Sequence, residues 1–202
     1  MSKFNFPDSI TSRPVYGTLE PRPGKSHLMI ADAEGAEALL DLAKADPGVM
    51  AKAHVIYIPK GTGTKYSDQL AALKPAILHI SPSYGSSVQR FQRILSDAHM
   101  GLQIYLAGTE GLMGQAMQEA VSAGIPHSAI QTEHRGSVAR RMQCVHCKGI
   151  TEDVMTDPFV CSHCGLNLFV RDHYSRRLAA FQGVCIDAED PGEVPEPVEL
   201  YK

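Results

Sequence analysis

Apolar positions along the chain fall into two alternating kinds of run. Short apolar blocks occur at Ser26–Ala31 (SHLMIA), Ala53–Ile58 (AHVIYI), Ala76–Ile80 (AILHI), Leu102–Gly108 (LQIYLAG) and Ser128–Glu133 (SAIQTE). Each is too short for a stable helix and is bounded by polar or turn-forming residues, so each predicts a buried strand. Between them lie stretches whose apolar residues recur every three or four positions. Ala36, Leu39, Leu40 and Ala43 share a face of Ala33–Lys44, and Val88, Phe91, Leu95 and Ala98 share a face of Ser86–Met100. Leu112, Met113, Ala116, Met117 and Ala120 do the same in Leu112–Gly124. These spacings predict amphipathic helices with inward stripes, and the Met-bearing stripe of the last one reads as core. Tyr66–Leu73 is a shorter helical stretch with Ser67 as its N-cap; Pro47–Gly48 ends the first unit, and Gly124 suits the position just past the last helix. Strand and helix in alternation predict an α/β fold: a doubly wound, mostly parallel, five-stranded Rossmann-like sheet over residues 26–136.

The flanks differ in character. Residues 1–25 carry Pro7, Pro14, Pro21 and Pro23, which predict an extended leader with a short strand near Val15. His134–Gln143 is basic and polar and reads as a linker. Residues 137–186 then form linker and cysteine module together. The tail, residues 187–202, is acidic and Pro-rich; it has too little apolar surface to fold alone, so it is disordered or docked.

Composition narrows the function classes. The chain has 202 residues, 44% hydrophobic and 20% charged, which suits one ordinary domain plus a small module. Its net charge of −3, with 19 basic and 22 acidic residues, argues against a nucleic-acid binder with a broad basic face. No apolar run is long enough to span a bilayer, and the N-terminus lacks a basic-then-apolar signal pattern. A cytoplasmic protein is the expectation.

Four of the five cysteines sit in CVHCKGITEDVMTDPFVCSHCG. The spacing is Cys144-x2-Cys147, 13 residues, then Cys161-x2-Cys164. In a reducing compartment such paired units point to metal rather than disulfides. Each pair makes a tight knuckle whose sulfurs can face one centre, and the intervening loop lets the second knuckle complete a tetrahedron. Four thiolates suit structural Zn²⁺, with a single rubredoxin-like iron as the alternative. Gly165 permits the left-handed turn that aims backbone N–H groups at sulfur. His146 and His163 lie inside the knuckles but four cysteines already fill the shell. A closed shell has no open position for water, so the metal's task is to fold a segment too small for its own core. Cys185 stands apart as an inert thiol.

No nucleotide or catalytic motif accompanies the sheet. A dinucleotide turn needs small glycines after the first strand, where a pyrophosphate meets backbone N–H groups. Here Asp32 and Glu34 stand in that turn, and both suit the start of a helix. Gly108, Gly111 and Gly114 give a loose glycine-rich turn after the fourth strand, and Gly61–Lys65 (GTGTK) does not fit a P-loop. No residue is assigned a catalytic or cofactor-binding role.

Two resemblances follow from these residues. Ile104–Gly136 resembles the last part of the pyridine-nucleotide domain of ferredoxin-reductase-like flavoenzymes: a strand, Cys-Gly-Pro, a Met-bearing helix, a G-x-P turn and a strand ending near Glu. Gly108, Met113, Gly124, Pro126 and Glu133 take the matching places, and the register extends over Ser26–Gly136. Ala107 replaces that family's Cys, ADAEG replaces its glycine-rich first turn, and too few residues precede the domain for a flavin-binding barrel. The resemblance therefore implies the fold without nicotinamide binding or hydride transfer. In phthalate-dioxygenase-reductase-like members a plant-type ferredoxin domain follows; the four-Cys module stands in its place.

The whole chain resembles the DmmA subunit family of bacterial dimethylamine monooxygenases, most densely over Cys144–Glu193 and also at SRPVYG near the N-terminus. That resemblance implies an accessory, scaffolding subunit of a multicomponent oxygenase, not itself catalytic. It implies partner subunits carrying haem and a flavin plus iron–sulfur reductase. The complex would use NAD(P)H and O2 to convert dimethylamine to methylamine and formaldehyde. Arg171–Val184 is then either a solvated helix docking Leu178 and Phe181 or a partner-contact surface built on Asp172, His173, Tyr174, Arg176 and Arg177, since Tyr and Arg favour interface hot spots. Two other readings compete: an iron relay within the same complex, and a zinc-ribbon nucleic-acid or regulatory module, which the acidic balance disfavours. A free-standing NAD(P)H reductase is disfavoured by the carboxylates at the first turn.

Overall fold

A computed structural model describes residues 13–201. It divides into two compact units, Tyr16–Ala139 with Tyr201, and Arg140–Leu200 with residues 13–15.

The larger unit is a sheet with helices on both faces. Its strands are β1 (Ser26–Asp32), β2 (Ala53–Ile58), β3 (Ile77–Ile80), β4 (Leu102–Gly108) and β5 (Ile130–His134). All pair in parallel, in the order β3-β2-β1-β4-β5. The helices are α1 (Gly35–Ala45), α2 (Lys65–Ala72), α3 (Tyr84–Ser96) and α4 (Glu110–Ser122). Because successive side chains on a strand point to opposite faces, the central strands feed two cores. Met29, Ala31, Val55, Tyr57, Tyr105 and Ala107 join α1 and α2 in one. Leu28, Ile30, Ile56, Ile58, Ile104 and Leu106 join α3 and α4 in the other. Burial on both faces is why these strands read as continuous apolar runs rather than as alternation.

The helical stripes lie inward, with adjustments. Phe91 and Leu95 are buried in α3 while Val88 and Ala98 are half-buried; Met113 of α4 is core. Gly124 lies past the α4 C-cap with φ +86°, a left-handed turn. Ser67 is not the α2 cap: that helix starts one turn earlier, after Thr64, and the GTGTK loop runs straight into it. Among the described residues no strand forms near Val15, which is highly exposed. The segment after it docks instead through single bonds. Gly17 N–H donates to Thr132 O (3.0 Å), Leu19 N–H to the Glu133 carboxylate (2.7 Å) and Arg22 N–H to Tyr105 Oη (3.1 Å). Glu133, also paired with Arg135 at 2.6 Å, is thus an internal anchor for the leader.

The smaller unit is a sheet of β6 (Arg140–Cys144), β7 (Ile150–Val154), β9 (Phe159–Val160), β10 (Asn167–Ser175) and β11 (Ala180–Cys185), in the order β7-β6-β11-β10-β9. β8 (Thr156–Asp157) pairs antiparallel with β12 (Val198–Glu199), so the acidic tail is docked. Leu200 N–H extends that pairing to Met155 O at 3.0 Å. Among the described residues no helix is long and apolar enough to cross a membrane.

Candidate metal centre

Two turns of the smaller unit bring the four cysteines together. One joins β6 to β7 and carries Cys144 and Cys147; the other joins β9 to β10 and carries Cys161 and Cys164. The turns are copies of each other in hydrogen bonding. Lys148 N–H donates to Cys144 O, as Gly165 N–H does to Cys161 O, both at 3.0 Å. Cys144 N–H donates to Gly149 O (3.0 Å), as Cys161 N–H does to Leu166 O (2.9 Å). The residue after each second cysteine is left-handed, with φ +63° at Lys148 and +73° at Gly165. That conformation closes the turn and puts both sulfurs of a pair on one side.

The sulfurs fit a tetrahedral ion. All four lie within 4.8 Å of one another, with Cys144 to Cys164 at 3.8 Å and Cys147 to Cys161 at 3.7 Å. A tetrahedron of zinc–thiolate bonds has edges of about 3.8 Å. Gly149 N–H donates to Cys147 Sγ at 3.4 Å. At Cys161 burial raises the thiol pKa, but backbone N–H groups of Cys164 and His163 and the neighbouring thiols outweigh it and hold it down to about 6. Cys164 is pushed up to about 12: an N–H bond from Leu166 lowers it, and burial and its three thiol neighbours raise it further. An ion that replaces the thiol protons would satisfy all four sulfurs together.

Second contacts hold the knuckles in register. A Cβ on Gly149 would lie 2.5 Å from the His163 ring, so the imidazole of the second knuckle lies flat against the backbone of the first. His163 Nε2 is 2.8 Å from Ile150 O, which ties the ring to β7 instead of to the ion. His146 is exposed. Cys144 and Cys161 belong to the core of this unit with Met142, Val154, Phe159, Leu168 and Phe181. Cys147 is exposed, so one edge of the cluster reaches solvent. Cys185 lies outside the cluster and donates to Asp187 at 3.1 Å.

Arg171–Val184 is not a helix. Arg171–Ser175 ends β10, residues 176–179 turn, and Ala180 starts the return in β11. A register shift between Arg171 and Tyr174 breaks the strand alternation. Asp172 is bound by Arg13 and, at 2.7 Å, by Arg140. The Arg140 guanidinium lies 4.2 Å over the Phe181 ring, and Tyr174 meets that ring edge-on at 5.0 Å. His173, Arg176 and Arg177 are exposed, the last two at the hairpin tip. Arg140 was assigned to a linker by its charge. The signal for a strand was the alternation Arg140, Met142, Cys144, all buried, with Arg141 and Gln143 between them.

Comparison with known proteins agrees with this two-part layout. Residues 8–130 match the dimethylamine monooxygenase subunit DmmA-like N-terminal domain, and residues 141–184 match the C-terminal domain of the same family. A relative described as a heme-dependent oxidative N-demethylase delta subunit, from Ectopseudomonas mendocina (strain ymp), is 33% identical over 148 residues, 70% of this chain and 85% of its own. A flavohemoglobin from Malassezia yamatoensis, solved with bound FAD and heme, aligns with 59% of this chain and 34% of its own at 17% identity and TM-score 0.38, a likeness too loose to bear on function.

Two outcomes follow from the site. Gly165 has open space where a Cβ would go, so only backbone strain opposes Gly165→Ala. That variant should lose about 1 kcal/mol of metal-loaded stability in denaturant titration, whereas Lys148→Gly at the equivalent position should be neutral or slightly stabilising. At Asp172 burial raises the carboxyl pKa, but the bonds from Arg13 and Arg140 outweigh it and hold it below the ordinary carboxylate value. A depressed folded pKa gives stability that is present above the unfolded value and is lost as pH falls through the folded one. The stability gap between the native chain and Asp172→Asn should thus be constant at neutral pH and shrink below about pH 4.

Proposed function

The chain belongs to the dimethylamine monooxygenase subunit DmmA-like family, and from that premise we propose that it is an accessory subunit of a haem-dependent oxidative N-demethylase. The observation that carries this reading is the match to a delta subunit of such an enzyme over 85% of that subunit's length. In the complex, haem and a flavin plus iron–sulfur reductase reside on partner subunits. NAD(P)H and a proton reduce one oxygen atom of O2 to water while the other is inserted into an N-methyl group. Dimethylamine then yields methylamine and formaldehyde. This chain assembles or couples the reductase and haem subunits and carries no step of the chemistry itself. Work in the cytoplasm suits the four thiols, which a reducing compartment keeps free for metal.

The four-cysteine centre is a structural zinc site in this reading, held by Cys144, Cys147, Cys161 and Cys164. Zinc supplies no redox chemistry, and with four thiolates it has no open position. Its contribution is to lock two knuckles into a small sheet that presents the β10–β11 hairpin. The exposure of Cys147 favours a second reading, in which a single iron in the same shell passes electrons through that edge.

The hairpin supports the partner contact. Arg176 and Arg177 stand exposed at its tip, and Asp172 and Tyr174 brace its base. Reversing both tip charges (Arg176→Glu with Arg177→Glu) should leave the circular dichroism and metal content unchanged but reduce co-purification of the haem-bearing subunit several-fold. Undiminished recovery of that subunit would remove the hairpin from the interface.

A further inference from the structure

Doubly wound sheets take dinucleotides in the crevice outside the carboxyl ends of the strands, where the strand order reverses. In the order β3-β2-β1-β4-β5 that crevice opens between β1 and β4. A phosphate there needs free backbone N–H groups, small residues for close approach and room. The residues at this place do not fit such a cofactor, for two separate reasons.

First, the place of the anion is already held by Asp32, the last residue of β1. Its side chain is fully buried. Oδ1 accepts from Thr109 N–H at 2.7 Å, and Oδ2 accepts from Thr109 Oγ1 at 2.6 Å. Thr109 follows β4 and caps α4, so these two bonds span the crevice from one lip to the other. The ammonium of Lys60, beyond the end of β2, sits 3.1 Å from Oδ2 and supplies the countercharge.

Second, the approach path is filled. Gly108 stands at φ +121°, where a Cβ would lie 1.9 Å from Asp32 Oδ1. The glycine that would let a phosphate approach the backbone has let a carboxylate approach instead.

We infer that Asp32 is a resident anion, clasped by Thr109 and Lys60 in the position a dinucleotide phosphate would occupy, and that this Rossmann-like unit is closed to NAD(P)H. A buried carboxylate with three donors is held strongly, and its removal leaves Lys60 facing an emptied site. By sequence Asp32 lies in the turn after β1 and suits the start of a helix. The structure turns its side chain the other way, across the switch point. If the chain serves the complex proposed above, the nicotinamide cofactor delivers its hydride on a different subunit.

The test uses the purified full chain with its metal and does not depend on that complex. NADH and NADPH, followed by their own fluorescence, should give no saturable change with the native chain up to millimolar concentration. Saturable binding at one site per chain would overturn the inference. Asp32→Ala should melt lower than the native chain and recover part of the loss in sodium formate, which returns a carboxylate to Thr109 and Lys60. Sodium chloride at equal ionic strength should not restore it. A folded Asp32→Ala that melts with the native chain and ignores formate would show that no anion is held there, and would equally overturn the inference. The native-chain titration decides the matter even where that variant does not fold.

Discussion

Four sulfur atoms within 4.8 Å of one another are the constraint on which the smaller unit depends. Four thiols so close cannot all be satisfied by sharing protons, and four thiolates would repel. A dication resolves both conditions, because it takes the charge of the thiolates and fixes the direction of each Cys. The rest of the unit follows from that point. Cys144 and Cys161 are buried with Met142, Phe159, Leu168 and Phe181, so the ligands are also part of the apolar core. A unit of about sixty residues with one small apolar cluster has little burial to set against chain entropy, and a bound ion would supply what the core lacks. The duplicated knuckle bonds and the His163 ring on Gly149 spread that fixation into β6, β7, β9 and β10.

The larger unit needs no such staple. Two apolar cores, one on each face of a parallel sheet, bury nearly all of β1, β2 and β4. Two of its buried polar groups lie at strand ends: Asp32 is bonded to Thr109 and Lys60, and Glu133 binds Leu19 N–H and Arg135. Both carboxylates serve the protein's own backbone. A fold that elsewhere leaves its strand ends open for ligands has turned them inward.

Much of this was legible in the chain. The five strands and four helices of the larger unit follow from apolar periodicity, because burial on two faces leaves an unbroken pattern. The gathering of Cys144, Cys147, Cys161 and Cys164 follows from spacing, because each Cys-x-x-Cys turn can aim both sulfurs at one point. Other features were hidden for physical reasons. The β10–β11 hairpin carries Arg, Asp, His and Tyr and a register shift, so it lacks the alternation that marks a strand. Arg140 looks like a linker residue until Asp172 neutralises it and Phe181 covers it. β8 and β12 have two residues each, too few to carry any period. The direction of the Asp32 side chain depends on a residue 77 positions away, which no local pattern records.

The central claim is that the four cysteines hold an ion that folds this unit and takes no part in electron flow. Metal analysis of the purified chain, expressed without added metal and paired with its absorption spectrum, tests it directly. The account predicts about one zinc per chain and no visible bands, since a closed d¹⁰ thiolate site has none. About one iron per chain, with thiolate-to-iron charge-transfer bands that bleach on reduction, would contradict it and make Cys144, Cys147, Cys161 and Cys164 a redox centre.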